Sequence, residues 1–224
     1  MINHLRNIQS FYLSYLCLFG IAVISLFYQS HGDFVILLNE LHNPIWDFFF
    51  KYWTHTGSTY FFIAVIFLLI FLRRRYGFVL SIVGITVILV SSFFKFVLFP
   101  DVPRPSIFFE GHKILALVDG VQMLDLNSFP SGHSIAAFAL GTFISLMLQK
   151  NSYSLMLLVM ASLTALSRVY LAQHFLIDIM AGSLIGIIIA TAYYIGFERY
   201  LNKEIITETN PDRDLEQLDL NDEG

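Results

Sequence analysis

Six long, mostly apolar runs constrain this chain more than any other feature of its sequence. The hydrocarbon core of a bilayer is ~30 Å thick and a helix rises ~1.5 Å per residue, so a crossing requires about 20 apolar residues. The runs lie near 11–29, 57–72, 77–99, 132–149, 153–171 and 175–197. Each is continuously apolar, whereas a membrane barrel strand alternates its two faces over ~10 residues. The expected fold is therefore all-α, an integral membrane bundle of six transmembrane helices. Segment 42–54 (HNPIWDFFFKYWT) is aromatic and interrupted by Asp47 and Lys51. It reads as a short interfacial helix after the first span, at the depth where Trp and Tyr are favoured.

Composition supports the membrane assignment. Of 224 residues, 56% are hydrophobic and only 13% charged, against ~25% charged in soluble domains. The net charge of -4 excludes a nucleic-acid binder, which needs a basic surface. The single cysteine, Cys17, has no partner for a disulfide or a metal site and reads as a small apolar residue. The first run is longer than a secretory h-region, and no small-residue cleavage site follows it, so it reads as a retained anchor. Residues 1–200 form one transmembrane domain. Residues 201–224 (with Glu204, Glu208, Asp212, Asp214, Glu216, Asp219, Asp222 and Glu223) form an acidic tail without apolar periodicity, expected to be disordered and cytoplasmic.

Positive charge sets the orientation. Arg6, Arg73, Arg74, Arg75, Lys150, Arg199, Lys203 and Arg213 fall on one side of a six-span topology; Lys51, Lys95, Arg104, Lys113 and Arg168 fall on the other. Both termini are thus expected in the cytoplasm, in a multi-pass plasma (inner) membrane protein.

Ionisable residues at membrane depth are costly and are functional candidates by default. Lys95, Arg104, His133, Arg168, His174 and Asp178 gather at the non-cytoplasmic ends of spans three to six. Three cations and two histidines on one face suit the binding and transformation of an anion. Pro130-Ser131-Gly132 opens the fourth span, where unpaired N–H groups and the helix dipole favour phosphate, and Gly132 permits close approach. The arginines offer planar forks and Lys95 a compact charge. His174 and Asp178 are four apart, so on a helix they share a face. A carboxylate on one ring nitrogen would fix the tautomer and leave the other as nucleophile, with His133 free to protonate a leaving oxygen.

The run SRVYLAQHFLID (167–178) fits Ser-Arg-x5-His-x3-Asp, FPSGHS (129–134) carries Pro-Ser-Gly-His, and Lys95 with Arg104-Pro105 lies upstream. This ordered set, within roughly 55–197, resembles the type 2 phosphatidic acid phosphatase family of membrane lipid phosphatases, relatives of vanadium haloperoxidases. The resemblance implies that His174 attacks phosphorus to form a phosphohistidine, with Asp178 orienting it and His133 donating a proton to the leaving group. It implies that Lys95, Arg104, Ser131, Gly132 and Arg168 bind the phosphoryl oxygens. It implies no metal and no other cofactor, fixed cations replacing Mg²⁺.

One departure stands out. Eight residues (FVLFPDVP) separate Lys95 from Arg104 where the family has six, and Pro100 and Pro103 offer a turn to absorb the excess. The competing reading of Lys95 is a lysine snorkelling from a helix end. Asp178 equally suits a helix N-cap. His31, His42, His55 and His112 read as surface or interface histidines, and Glu110, Lys113, Asp119 and Asp125 as solvated residues of a long loop with the length of a lid. Ile107, Phe108 and Phe109 are candidates to dip into the interface.

The resulting expectation is a membrane phosphatase acting on a lipid phosphomonoester or diphosphate on the periplasmic or extracellular face. Undecaprenyl diphosphate is slightly favoured over phosphatidylglycerol phosphate, phosphatidic acid and lipid A phosphates. The partners are thus a lipid phosphate substrate and membrane lipids; no oligomeric state is specified. The alternatives are a phosphotransferase on the same site and a non-enzymatic anion-binding or transport protein.

Overall fold

A computed structural model of the chain describes residues 6–111 and 115–209, with side chains through residue 200. His112, Lys113 and the tail from residue 210 onward lie outside the described residues. Among those described there is helix and no strand.

Each of the six apolar runs is helical. The helices are α1 (Gln9–Tyr28), α2 (Asp33–Asn39), α3 (Pro44–Trp53), α4 (Thr59–Leu72), α5 (Arg74–Phe93), α6 (Pro105–Phe108), α7 (Gly132–Leu148), α8 (Asn151–Tyr170) and α9 (Leu176–Thr209). Among the described residues four are long and apolar enough to cross a membrane: α1, α5 with its terminal turn, α8 and α9; α3 and α4 make a fifth if their pair, bent by 54°, is one span. The expected count of six therefore becomes four to five by this measure. Two local causes account for the difference. Ser58, extended and accepting from Phe61 N–H at 3.2 Å, caps α4 and restarts the helix after the 3₁₀ turn Thr54–Gly57. α7, capped by Ser131, begins at Gly132 where its run begins and is only 17 residues long.

The shortest of the late helices sits at the centre. α7 is buried from Ser134 through Phe143, enclosed by α5, α8 and α9. Its apposition to α9 depends on glycine: a Cβ on Gly186 would stand 2.4 Å from the Ile135 carbonyl oxygen, and one on Gly182 2.7 Å from that of Ser131. Backbones approach this closely in membrane bundles only where small residues allow it. α1, by contrast, is apolar all round and largely exposed, as a lipid-facing helix is. Hydroxyl pairs tie it to α9, Tyr12 to Thr191 at 2.9 Å and Tyr15 to Ser183 at 3.0 Å.

The helix at 44–53 is where the aromatic segment places it. Asn43 caps it, accepting from Ile45 and Trp46 N–H at 3.1 Å, and Pro44 occupies its first turn. It packs against α8. α2 has no counterpart among the expected elements; at seven residues it is too short for apolar periodicity to show.

Candidate active site

Four chain segments converge at one end of the bundle, and local backbone chemistry explains each. At the end of α8, Ala172 takes a left-handed conformation (φ 53°), folding the chain so that the Gln173 and His174 N–H groups both reach the Arg168 carbonyl, at 2.9 and 3.1 Å. The arginine and histidine of Ser-Arg-x5-His are thereby locked into one helix-terminal turn.

His174 precedes α9, so the expectation that it shares a helix face with Asp178 is corrected. Asp178 lies in the first turn, and its Oδ2 reaches back to the Phe175 N–H at 2.9 Å, as an acidic residue does in a capping box. The same oxygen lies 3.3 Å from His174 Nδ1 and accepts from Ser128 Oγ at 2.5 Å. Capping and orienting are thus one arrangement.

The other ring nitrogen, Nε2, faces Arg104 Nη1 at 3.4 Å. A guanidinium has donors only, so Nε2 presents a lone pair and Nδ1 carries the proton. Burial, followed by the charges of Arg104, Arg168 and Lys95, pushes the His174 imidazole well below its ordinary value of 6.5. Its ordinary state is then the neutral imidazole.

Arg104 is buried and held by the long loop: Nε donates to Leu126 O at 2.9 Å, Nη1 to Gln173 O at 3.0 Å and Nη2 to Asn127 O at 3.4 Å. Burial lowers its pKa from the ordinary arginine value, and the Asp178 carboxylate opposes that shift. Arg168 is also buried; Nη1 donates to Thr54 Oγ1 at 2.8 Å, while its Nε is buried with no partner. A buried donor left unpaired is costly unless a ligand takes it.

Ser131 is the N-cap of α7, accepting from Ser134 N–H at 3.4 Å, and its own N–H donates to the Asp178 carbonyl at 3.1 Å. Its hydroxyl oxygen accepts in the cap and keeps its O–H as a donor, while the Gly132 and His133 N–H groups have no acceptor within the helix. A Cβ on Gly132 would stand 3.1 Å from Ser91 Oγ on α5. His133 stands within electrostatic reach of Arg168, His174 and Lys95.

Lys95 lies on a π turn, Phe94–Leu98, closed by Phe99 N–H to Phe94 O at 2.8 Å. The left-handed Asp101 (φ 61°) follows it, so both irregularities fall in the segment from Lys95 to Arg104. Half-buried, Lys95 feels the charges of Arg104, Arg168 and Asp178.

All eight expected residues thus gather in one region. Ser128, Gln173 and Thr54 join them unforeseen. His42 departs from its expected surface role: its Nδ1 lies 3.0 Å from Asp47 Oδ1 and its ring stacks on Tyr170 at 4.3 Å. Phe109 is buried under Gly32 rather than free to enter an interface. Among the described residues no three His, Cys, Asp or Glu side chains group as metal ligands.

A family model described as the PAP2 superfamily matches residues 75–201, more than half of the chain. The chain belongs to the PAP2 superfamily. The matched region contains Lys95, Arg104, the Pro-Ser-Gly-His turn and the Arg168–Asp178 segment. Among solved structures, Aquifex aeolicus LpxE is similar with a TM-score of 0.59 and 27% identity, covering 73% of this chain and 94% of that one. A transmembrane PAP2-type phosphatidylglycerolphosphate phosphatase from Bacillus subtilis has a TM-score of 0.62 and 23% identity, covering 87% and 96%. At that identity the second likeness concerns the fold alone. A stretch of 64 residues is 38% identical to the bacitracin transport permease protein BcrC of Bacillus licheniformis, 29% of this chain and 30% of that protein. Another of 70 residues is 36% identical to the lipid A 1-phosphatase of Porphyromonas gingivalis, 30% of this chain and 16% of that protein. The matches thus span less than a third of either curated relative.

Proposed function

We propose that this membrane protein is a phosphatase that hydrolyses a lipid phosphomonoester or diphosphate through a phosphohistidine on His174. The observation that carries the reading is the His174 ring, with Nδ1 on Asp178 and the Nε2 lone pair turned toward Arg104 in a cluster of buried cations.

In the first step the Nε2 lone pair attacks phosphorus and the bond from phosphorus to the lipid oxygen breaks. His133 gives its proton to that oxygen, and Asp178 offsets the positive charge that develops on the His174 imidazole. Lys95, Arg104, Arg168 and the N–H groups at the start of α7 stabilise the charge on the equatorial oxygens. In the second step a water loses a proton to His133 and attacks phosphorus, releasing phosphate and restoring His174. No step requires a metal ion.

The substrate belongs to the lipid phosphates, with undecaprenyl diphosphate first in order of test, beside phosphatidylglycerol phosphate, phosphatidic acid and lipid A phosphates. Six spans are proposed, α1, α4, α5, α7, α8 and α9, with α3 at the interface. The α5 helix with its terminal turn separates the Arg73–Arg75 block from Lys95 by ~30 Å at ~1.5 Å per residue. Loop charge then puts both termini in the cytoplasm and the site on the outer face.

The test is phosphate release from each of these lipids by purified protein and by His174→Ala. Release by the wild type and not by the variant supports the reading; undiminished release by the variant rejects the mechanism. One relative is named a transport permease, so a transport function is a second reading. It requires lipid phosphate binding without turnover in the same assay.

A further inference from the structure

Gln173 precedes the proposed nucleophile, and its carboxamide joins three parts of the site. Its Oε1 accepts from Arg104 Nη1 at 3.3 Å and from Arg168 Nη2 at 3.4 Å. Its Nε2 donates to the Gln122 carbonyl at 3.3 Å and lies 3.0 Å from Met123 Sδ. The side chain is 1% exposed. Two guanidinium donors facing one amide oxygen fix which end of the amide is which.

The chemistry of this choice is informative. Two buried guanidinium groups repel each other, and among the described residues neither forms an ion pair with a carboxylate. A neutral oxygen between them offsets the repulsion without cancelling either charge. A carboxylate there would hold the arginines more tightly but remove a unit of positive charge from a site meant for an anion. The amide also occupies donors on the flanks of the two forks and leaves the buried Arg168 Nε unpartnered.

The geometry points to Gln173 as a positioning residue for phosphoryl binding: its carboxamide oxygen sets Arg104 and Arg168 side by side, and its amide nitrogen ties that setting to residues 122–123 of the long loop. This role rests on the phosphatase reading above. It acts through the arginines rather than on phosphorus.

The test uses the full-length protein with Gln173→Glu and Gln173→Leu. Orthovanadate serves as the phosphate-like probe, alongside steady-state hydrolysis of a lipid phosphate at several pH values and a thermal melt. Both variants should weaken orthovanadate about tenfold or more, the scale of a hydrogen bond to a charged group, and raise KM more than they lower kcat. For Gln173→Glu the deficit relative to wild type should shrink as pH falls, because a protonated carboxyl again offers a neutral carbonyl oxygen. For Gln173→Leu it should not change with pH. Folded variants with wild-type orthovanadate affinity and an unaltered pH profile would overturn the assignment. Should Gln173→Glu fail to fold, Gln173→Leu decides alone, and wild-type affinity in it overturns the assignment. A wild-type protein that neither hydrolyses lipid phosphate nor binds orthovanadate overturns the phosphatase reading itself.

Discussion

His174 Nδ1 stands 3.3 Å from Asp178 Oδ2, and that single carboxylate oxygen also receives the Ser128 hydroxyl and the Phe175 N–H. One atom therefore caps α9 and orients the imidazole. Loss of the carboxylate charge disturbs both tasks, but to different extents, which makes them separable.

Asp178→Asn keeps the shape and removes the charge that stabilises an imidazolium. Activity should fall on the order of 10³–10⁴-fold, the scale seen when a catalytic histidine loses its carboxylate partner. The melting temperature should fall by no more than the loss of a cap implies, ~1 kcal/mol. Steady-state kinetics and a thermal melt on the same preparation check both.

Ser128→Ala removes one hydrogen bond to a buried carboxylate while leaving the other two. A loss of about tenfold or more in kcat/KM is expected, from ~1.5–3 kcal/mol for a bond to a charged group. The effect should be well below that of Asp178→Asn, and wild-type kinetics would show that the hydroxyl plays no part in orienting the pair.

Arg168→Lys retains the charge and loses the fork. Arg168 donates to Thr54 through Nη1 and holds a second buried donor, Nε, without a partner, and an ammonium group cannot offer both from one plane. The expected result is a fall of at least about tenfold in kcat/KM with a weaker response to orthovanadate.

The pH dependence has a definite sign. His174 is held neutral by burial and by its cationic neighbours, its pKa displaced well below 6.5. The acid limb of the kcat/KM profile set by this group should therefore lie below pH 6.5. The unfolded chain binds this proton more readily than the folded one. The stability that this implies is present above the unfolded pKa of ~6.5 and is lost as pH falls below it. Melting temperatures across the same pH series provide the second reading.

Gly186→Ala forces a methyl against the Ile135 carbonyl at 2.4 Å, a backbone atom that cannot swing aside. A destabilisation of ~1–3 kcal/mol is expected from overpacking, read as a lower melting temperature in detergent.

Much of this site was legible in the sequence for identifiable reasons. His133, Arg168, His174 and Asp178 stand at the ends of long apolar runs, where an ionisable residue is conspicuous. Ser128, Gln173 and Thr54 are polar residues ordinary in turns, and their contacts close over separations of 46, 69 and 114 residues, which no local pattern records. The longer interval from Lys95 to Arg104 includes part of a π turn, Phe94–Leu98, which an apolar count does not show. The bundle itself was legible from its runs. The brevity of α4 and α7 was legible as well, since their runs, 57–72 and 132–149, are the shortest of the six.

The most direct measurement of the central claim is rapid quenching of wild type and His174→Ala with a lipid phosphate carrying labelled phosphorus, followed by peptide mapping under alkaline conditions that preserve phosphohistidine. The predicted result is label on the His174 peptide of the wild type during turnover and none in the variant, which releases no phosphate. Turnover without labelled His174, or label on a different residue, would contradict it.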